Sequence, residues 1–170
     1  FVSANGLASA GREALKIDLL YTEHQRPIVA QLFSADPENM RISAKLVAEL
    51  GFDGIDINMG CPDKTIEKQG AGASMIKTPE VAKAIIAAAK EGIQDAGKDI
   101  PVSVKTRIGY SEIQYEWIAM LLAQDIAALS VHVRTRKELS LTKADWMRLK
   151  EVVKLRDKIA PNTLILGNGD

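Results

Sequence analysis

From Pro27 onward, short apolar runs and longer amphipathic stretches take turns along the chain. Few folds accept that order. Pro27-Ile-Val-Ala-Gln-Leu-Phe33, Gly54-Ile-Asp-Ile-Asn-Met-Gly60, Val102-Ser-Val-Lys-Thr-Arg107, Ala128-Leu-Ser-Val-His-Val-Arg134 and Leu164-Ile-Leu166 read as buried strands. Between them the spacing predicts helices over 36–50, 78–96, 111–123 and from 145 to about 159. Asp36 and Ser111 are in place to cap two of these, Pro37 suits a first turn, and Gly51 ends the first helix. Strand, helix, strand, helix with short connections implies right-handed βαβ units and a parallel sheet, hence an α/β fold.

Two closures satisfy that pattern, a doubly wound sheet and a (β/α)8 TIM barrel. The polar residues favour the barrel. Gln31, Asn58, Lys105, His132 and Asn168 each sit at or near the C-terminal end of a different strand. A barrel builds its site that way, whereas a doubly wound sheet gathers its site at one switch point.

Composition narrows the function classes. The 170 residues leave room for one ordinary domain, and 46% hydrophobic with 26% charged residues suits a soluble, cytoplasmic protein. Lys plus Arg and Asp plus Glu both number 22, so bulk charge gives this stretch no grip on nucleic acid. A single cysteine excludes an intrachain disulfide and a Cys-rich zinc site, and no metal site is expected. No apolar run has the ~20 residues of a membrane helix.

Each candidate site residue carries two readings. Cys61, in Asn58-Met-Gly-Cys-Pro-Asp-Lys64, stands either as a reactive thiol at the barrel mouth or as a small buried hydrophobe. The small residues of Gly70-Ala-Gly-Ala-Ser74 permit close backbone approach to a ligand, or form a tight turn. Lys105 either meets the pyrimidine side of a flavin or snorkels outward. His132 is a site residue or a hydrogen-bonded core histidine. Arg134 and Arg136 suit a phosphate or an RNA backbone, or belong to a solvated loop. Gly167-Asn-Gly-Asp170 offers backbone amides to a phosphate, or is an ordinary turn.

Taken in series, five motifs resemble the tRNA-dihydrouridine synthases: Asn58-Met-Gly-Cys-Pro, Gly-Ala-Gly-Ala, Val-Lys-Thr-Arg, Val-His-x-Arg-Thr-Arg with Ala144-Asp-Trp146, and Gly-Asn-Gly-Asp. The chain departs from the family pattern at Val133 and over 140–143. The resemblance implies an FMN-binding barrel followed by a small helical domain. On that template the 170 residues are a piece of a longer protein. They would lack the first strand, most of the second, the eighth, and the C-terminal helical tRNA-binding domain. The implied reaction is NADPH-dependent reduction of a uridine C5–C6 bond in tRNA. NADPH reduces FMN, hydride passes from flavin N5 to C6, and a cysteine protonates C5 from the opposite side. Cys61 would be that acid. Gln31, Lys105, His132, Asn168, Gly169 and Asp170 would surround FMN, with Asp170 nearer ribityl hydroxyls or ordering its loop. Asn58, Arg134 and Arg136 would serve the tRNA substrate, Asn58 placing the uracil or alternatively the flavin, and the arginines alternatively meeting the flavin phosphate. A thiol near its ordinary pKa is largely protonated at neutral pH, so Lys64 is expected to stand away from Cys61. Two other readings stay open: an FMN barrel of the dihydroorotate-dehydrogenase-like type acting on a small molecule, and a catalytically silent barrel that binds RNA or protein.

Overall fold

The computed structural model describes residues 1–170. Its sheet contains β1 (Val2–Ser3), β2 (Val29–Phe33), β3 (Gly54–Met59), β4 (Val102–Arg107), β5 (Ala128–His132) and β6 (Leu164–Asn168). These lie side by side in chain order, and every neighbouring pair is parallel. The helices are α1 (Ala4–Leu7), α2 (Arg12–Leu15), α3 (Pro37–Glu49), α4 (Lys64–Lys68), α5 (Pro79–Asp95), α6 (Tyr115–Leu122) and α7 (Arg148–Ile159). A doubly wound sheet would reverse its strand order at a switch point. Six strands in unbroken order are instead consecutive units of a (β/α)8 barrel, here an incomplete one. No helix is long and apolar enough to cross a membrane.

The strand pleat divides the sheet into two faces. Leu32, Ile55, Ile57, Met59, Val104, Leu129 and Val131 point to one side and are fully buried. Met40, Ala44 and Val47 of α3, Ile85 and Ala89 of α5, and Ile118 and Leu121 of α6 complete that core. The other face carries Gln31, Asp56, Asn58, Ser103, Lys105, Arg107, Ser130, His132 and Asn168. Parallel register sets these in rows. Gln31 pairs with Asp56, which pairs with Ser103; Asn58 pairs with Lys105, which pairs with Ser130; Arg107 pairs with His132, which pairs with Asn168.

Local signals explain most element starts. The Asp36 carboxylate accepts from Asn39 N at 3.1 Å and caps α3, with Pro37 in its first turn. Two expected helix starts are displaced. The helix expected from Ser111 begins at Tyr115, because Gln114 folds the preceding loop back on β4. Its amide donates to Ile108 O at 3.0 Å, and its side chain accepts from Tyr110 N at 2.8 Å. The helix expected from Asp145 begins at Arg148; Asp145 instead closes a turn by accepting from Met147 N at 3.1 Å. The helical turns between Ala4 and Leu19, and α4, have no counterpart in the apolar pattern; they are too short to show a period.

α3 and α5 pack closely because Gly92 lets the backbones touch. A Cβ built at Gly92 would run into the Arg41 carbonyl oxygen and stand 3.0 Å from the Ala44 Cβ. Gly92→Ala is therefore expected to destabilise the protein by about 1–3 kcal/mol despite alanine's better helix propensity. A urea midpoint that does not fall would contradict this packing.

Candidate active site

Cys61 sits in a turn that Asn58 builds. The Asn58 Oδ1 accepts from Gly60 N at 3.1 Å and from Cys61 N at 2.9 Å, folding the chain sharply as it leaves β3. The Asn58 amide is itself fixed. Its Nδ2 donates to Gln31 Oε1 at 3.1 Å, and Gln31 Nε2 donates to Asp56 at 2.5 Å. Ser103 Oγ donates to the other Asp56 oxygen at 2.6 Å. One hydrogen-bonded line thus runs from the floor of the polar face to the backbone of Cys61.

The Gly70–Ser74 segment closes the turn from outside. Ala73 N donates to Cys61 O at 2.9 Å. Gly72 has φ +63°, and a Cβ there would stand 2.6 Å from Cys61 O. Only glycine fits both the angle and the approach. The small residues therefore serve contact with the Cys61 turn, within a 3-10 turn over Gly72–Lys77. Lys64 lies exposed on the first turn of α4, which Asp63 caps by accepting from Thr65 N at 2.8 Å.

Cations dominate the rim. Lys105 is partly buried between Asn58 and Ser130, and its ammonium has no hydrogen-bonding partner in the chain. Burial, then neighbouring Arg107, lowers its pKa. Arg107 is buried and spends its donors on backbone: Gly60 O at 3.0 Å, and Thr135 O and Leu139 O each at 3.1 Å. Arg134 is buried too. It donates to Thr142 O at 2.6 Å, to Gly169 O and to the Asp170 carboxylate, and its Nη1 lies 3.2 Å from His132 Nε2. A guanidinium cannot accept, so His132 accepts at Nε2 and carries its proton on Nδ1. Asp170 also takes the Ala144 amide at 2.9 Å, which with Arg134 holds its carboxyl below the usual range. Asn168 Nδ2 donates to Ser130 Oγ at 3.1 Å. Arg136 grips Glu67 on α4.

Gln31, Asn58, Lys105, His132 and Asn168 share one face, with Cys61, Gly169 and Asp170 at its rim. Arg134 and Arg136 reach the same rim but turn most of their donors inward. The expected set omits Asp56, Ser103, Arg107, Ser130 and Glu67. The first four stand two residues from a named residue on the same strand, so strand alternation alone points to them. Glu67 comes from a helix five residues long and has no such signal.

Comparison with known proteins agrees with these motifs. The profile of the family described as Dihydrouridine synthase (Dus) matches residues 1–170. The chain belongs to the dihydrouridine synthase family. It is 46% identical over 162 residues to the probable tRNA-dihydrouridine synthase 2 of Bacillus subtilis (strain 168). It is 44% identical to a probable tRNA-dihydrouridine synthase of Staphylococcus aureus (strain COL), and 43% to one of Staphylococcus epidermidis (strain ATCC 35984). Each alignment covers 94% of this chain and 48% of the relative, so the chain spans about half the length of the curated relatives it matches. Membership of the dihydrouridine synthase family favours the first of the three functional readings over the small-molecule and silent barrels.

The rim's charge makes a checkable statement about His132. Burial first, then Arg107, Lys105 and Arg134, push its pKa down to about 4. The imidazole is then neutral at pH 7. An unfolded chain would take up this proton near the ordinary value of about 6.5. His132 therefore stabilises the fold fully above that pH and loses its contribution as pH falls toward 4. In an NMR titration, with His24→Gln removing the chain's other histidine, His132 is expected to titrate near 4. A midpoint at 6 or above would contradict the burial of His132 beside these cations.

Proposed function

We propose that the protein carrying this chain reduces the C5–C6 double bond of uridine in tRNA, using FMN held on the polar face and NADPH as reductant. One observation carries the reading. Cys61 is fixed at the rim of a polar face on which the Lys105 ammonium is left without a partner. The residues present fit a flavin. Lys105 is an unpaired, partly buried cation, suited to negative charge near N1 and O2 of the ring. The Gly169 amide donates to no group of the chain and suits a phosphate oxygen.

FMN, when bound and reduced by NADPH, supplies hydride for uracil C6. The remaining steps belong to the chain. Cys61 gives its thiol proton to C5 from the opposite side of the ring. Asn58 holds the Cys61 backbone and places the uracil. Gln31 and Lys105 would hold the isoalloxazine. His132, neutral and protonated on Nδ1, would offer that proton to the flavin as a donor. Asn168 and Gly169 would hold the ribityl phosphate, while Asp170, bound to Arg134 and the Ala144 amide, orders the loop beside them. The target uridine leaves its stack to reach the rim. Residues 1–170 form part of an FMN-binding barrel that works in the cytoplasm, with a helical domain beyond them bearing much of the tRNA contact.

Cys61→Ala tests the assignment in the flavin-loaded protein. Dihydrouridine formation in tRNA with NADPH is expected to fall at least ~100-fold, as loss of a general acid does, while flavin remains bound. Unchanged turnover would remove Cys61 from the mechanism.

A further inference from the structure

We propose that Arg136 and Glu67 form a clamp that sets the position of Cys61, which makes both of them positioning residues and gives Arg136 a role other than binding substrate phosphate. The inference rests on the reading of Cys61 as the proton donor, but its geometry stands independently.

Arg136 lies in the loop after β5, and Glu67 on α4, just beyond the Cys61 turn. The Arg136 Nε donates to both Glu67 oxygens, at 3.1 and 2.9 Å, and Nη2 bonds Oε2 as well. Nη2 also reaches Pro62 O, the carbonyl next to Cys61, at 3.4 Å. The two side chains are 23% and 11% exposed, so the pair is held largely out of water, where a broken partner is costly. Arg136 is anchored from behind as well. Its amide donates to Gly109 O and that of Lys137 to Tyr110 O, both at 2.9 Å, and its guanidinium lies 5.7 Å from the Tyr110 ring centroid.

A five-residue helix has no stability of its own. Asp63 caps the start of α4, Ile66 anchors its middle in the core, and Glu67 ties its last turn. What Glu67 holds therefore sets how α4 turns about that anchor, and with it the exit of the Cys61 turn. Arg107 makes the matching tie at the entrance, joining Gly60 O to Thr135 O and Leu139 O of the loop that carries Arg136. A substrate phosphate would have to displace the Glu67 carboxylate or settle beside it, and only Nη1 of Arg136 is uncommitted.

The test uses the flavin-loaded protein as wild type, Glu67→Gln, Arg136→Gln, and the exchanged pair Glu67→Arg with Arg136→Glu. Two quantities are read: uridine reduction in tRNA, and the rate at which iodoacetamide alkylates Cys61, followed on its peptide by mass. Each single change is expected to lower kcat about 10-fold, leave KM for tRNA within about twofold, and speed alkylation several-fold; the exchange restores most of both. A KM for tRNA that rises with Arg136→Gln and not with Glu67→Gln would make Arg136 a substrate ligand and overturn the clamp. Alkylation unchanged in both single variants would overturn it as well. Faster alkylation restored by the exchange, in a protein that makes no dihydrouridine even as wild type, would uphold the clamp and reject the uridine-reductase reading instead.

Discussion

The two-residue pleat of a β-strand governs this molecule. Side chains at i and i+2 share a face, so a strand written as Gly54-Ile-Asp-Ile-Asn-Met59 must send its isoleucines one way and Asp56 and Asn58 the other. β4 divides Val102 and Val104 from Ser103, Lys105 and Arg107 in the same manner. Parallel pairing in register then aligns the polar members of neighbouring strands. The apolar side is satisfied by helices. The polar side satisfies itself through Asp56, Gln31 and Asn58, and that line ends on the amides of Gly60 and Cys61. Packing the core and fixing the cysteine are therefore two results of one alternation.

The rim's excess of cations follows from how its arginines are held. Arg107 and Arg134 donate chiefly to backbone carbonyls, which accept hydrogen bonds without cancelling charge. Asp56 offsets part of the charge on the sheet itself, beside Lys105, and the other carboxylates do so where they tie loops down. Glu67 takes Arg136, Asp170 takes Arg134, and Glu138 takes Arg148. The Arg148 hydrogen bond holds the Glu138 carboxyl down to about 2, so this tie between the β5 loop and α7 survives mild acid. What is left over is positive potential on the polar face. Burial and then this potential keep His132 neutral, and Lys105, with no hydrogen-bonding partner in the chain, stands where it can meet an anionic group.

Much of this was legible in the chain. The five strands from Pro27 onward, the βα order, the barrel and the shared face of Gln31, Asn58, Lys105, His132 and Asn168 all follow from apolar periodicity and from where each polar residue falls in its strand. Loop architecture did not follow. The carboxylates that hold Arg134 and Arg136 lie 36 and 69 residues away in sequence, so the same arginines read equally well as phosphate ligands or solvated charges. The role of Gly72 depends on an approach to Cys61 O that no local pattern encodes. The Ala144-Asp-Trp146 motif was visible, but its use was not. Ala144 binds Asp170, Asp145 closes a turn, and Trp146 packs beside Gly167 of β6.

A flavin on the polar face would make the purified protein that carries this chain absorb between about 350 and 500 nm. An absorbance scan is expected to give the spectrum of an oxidised flavin, with FMN released on denaturation. A flat spectrum that stays flat after FMN is added would contradict a flavin on this face.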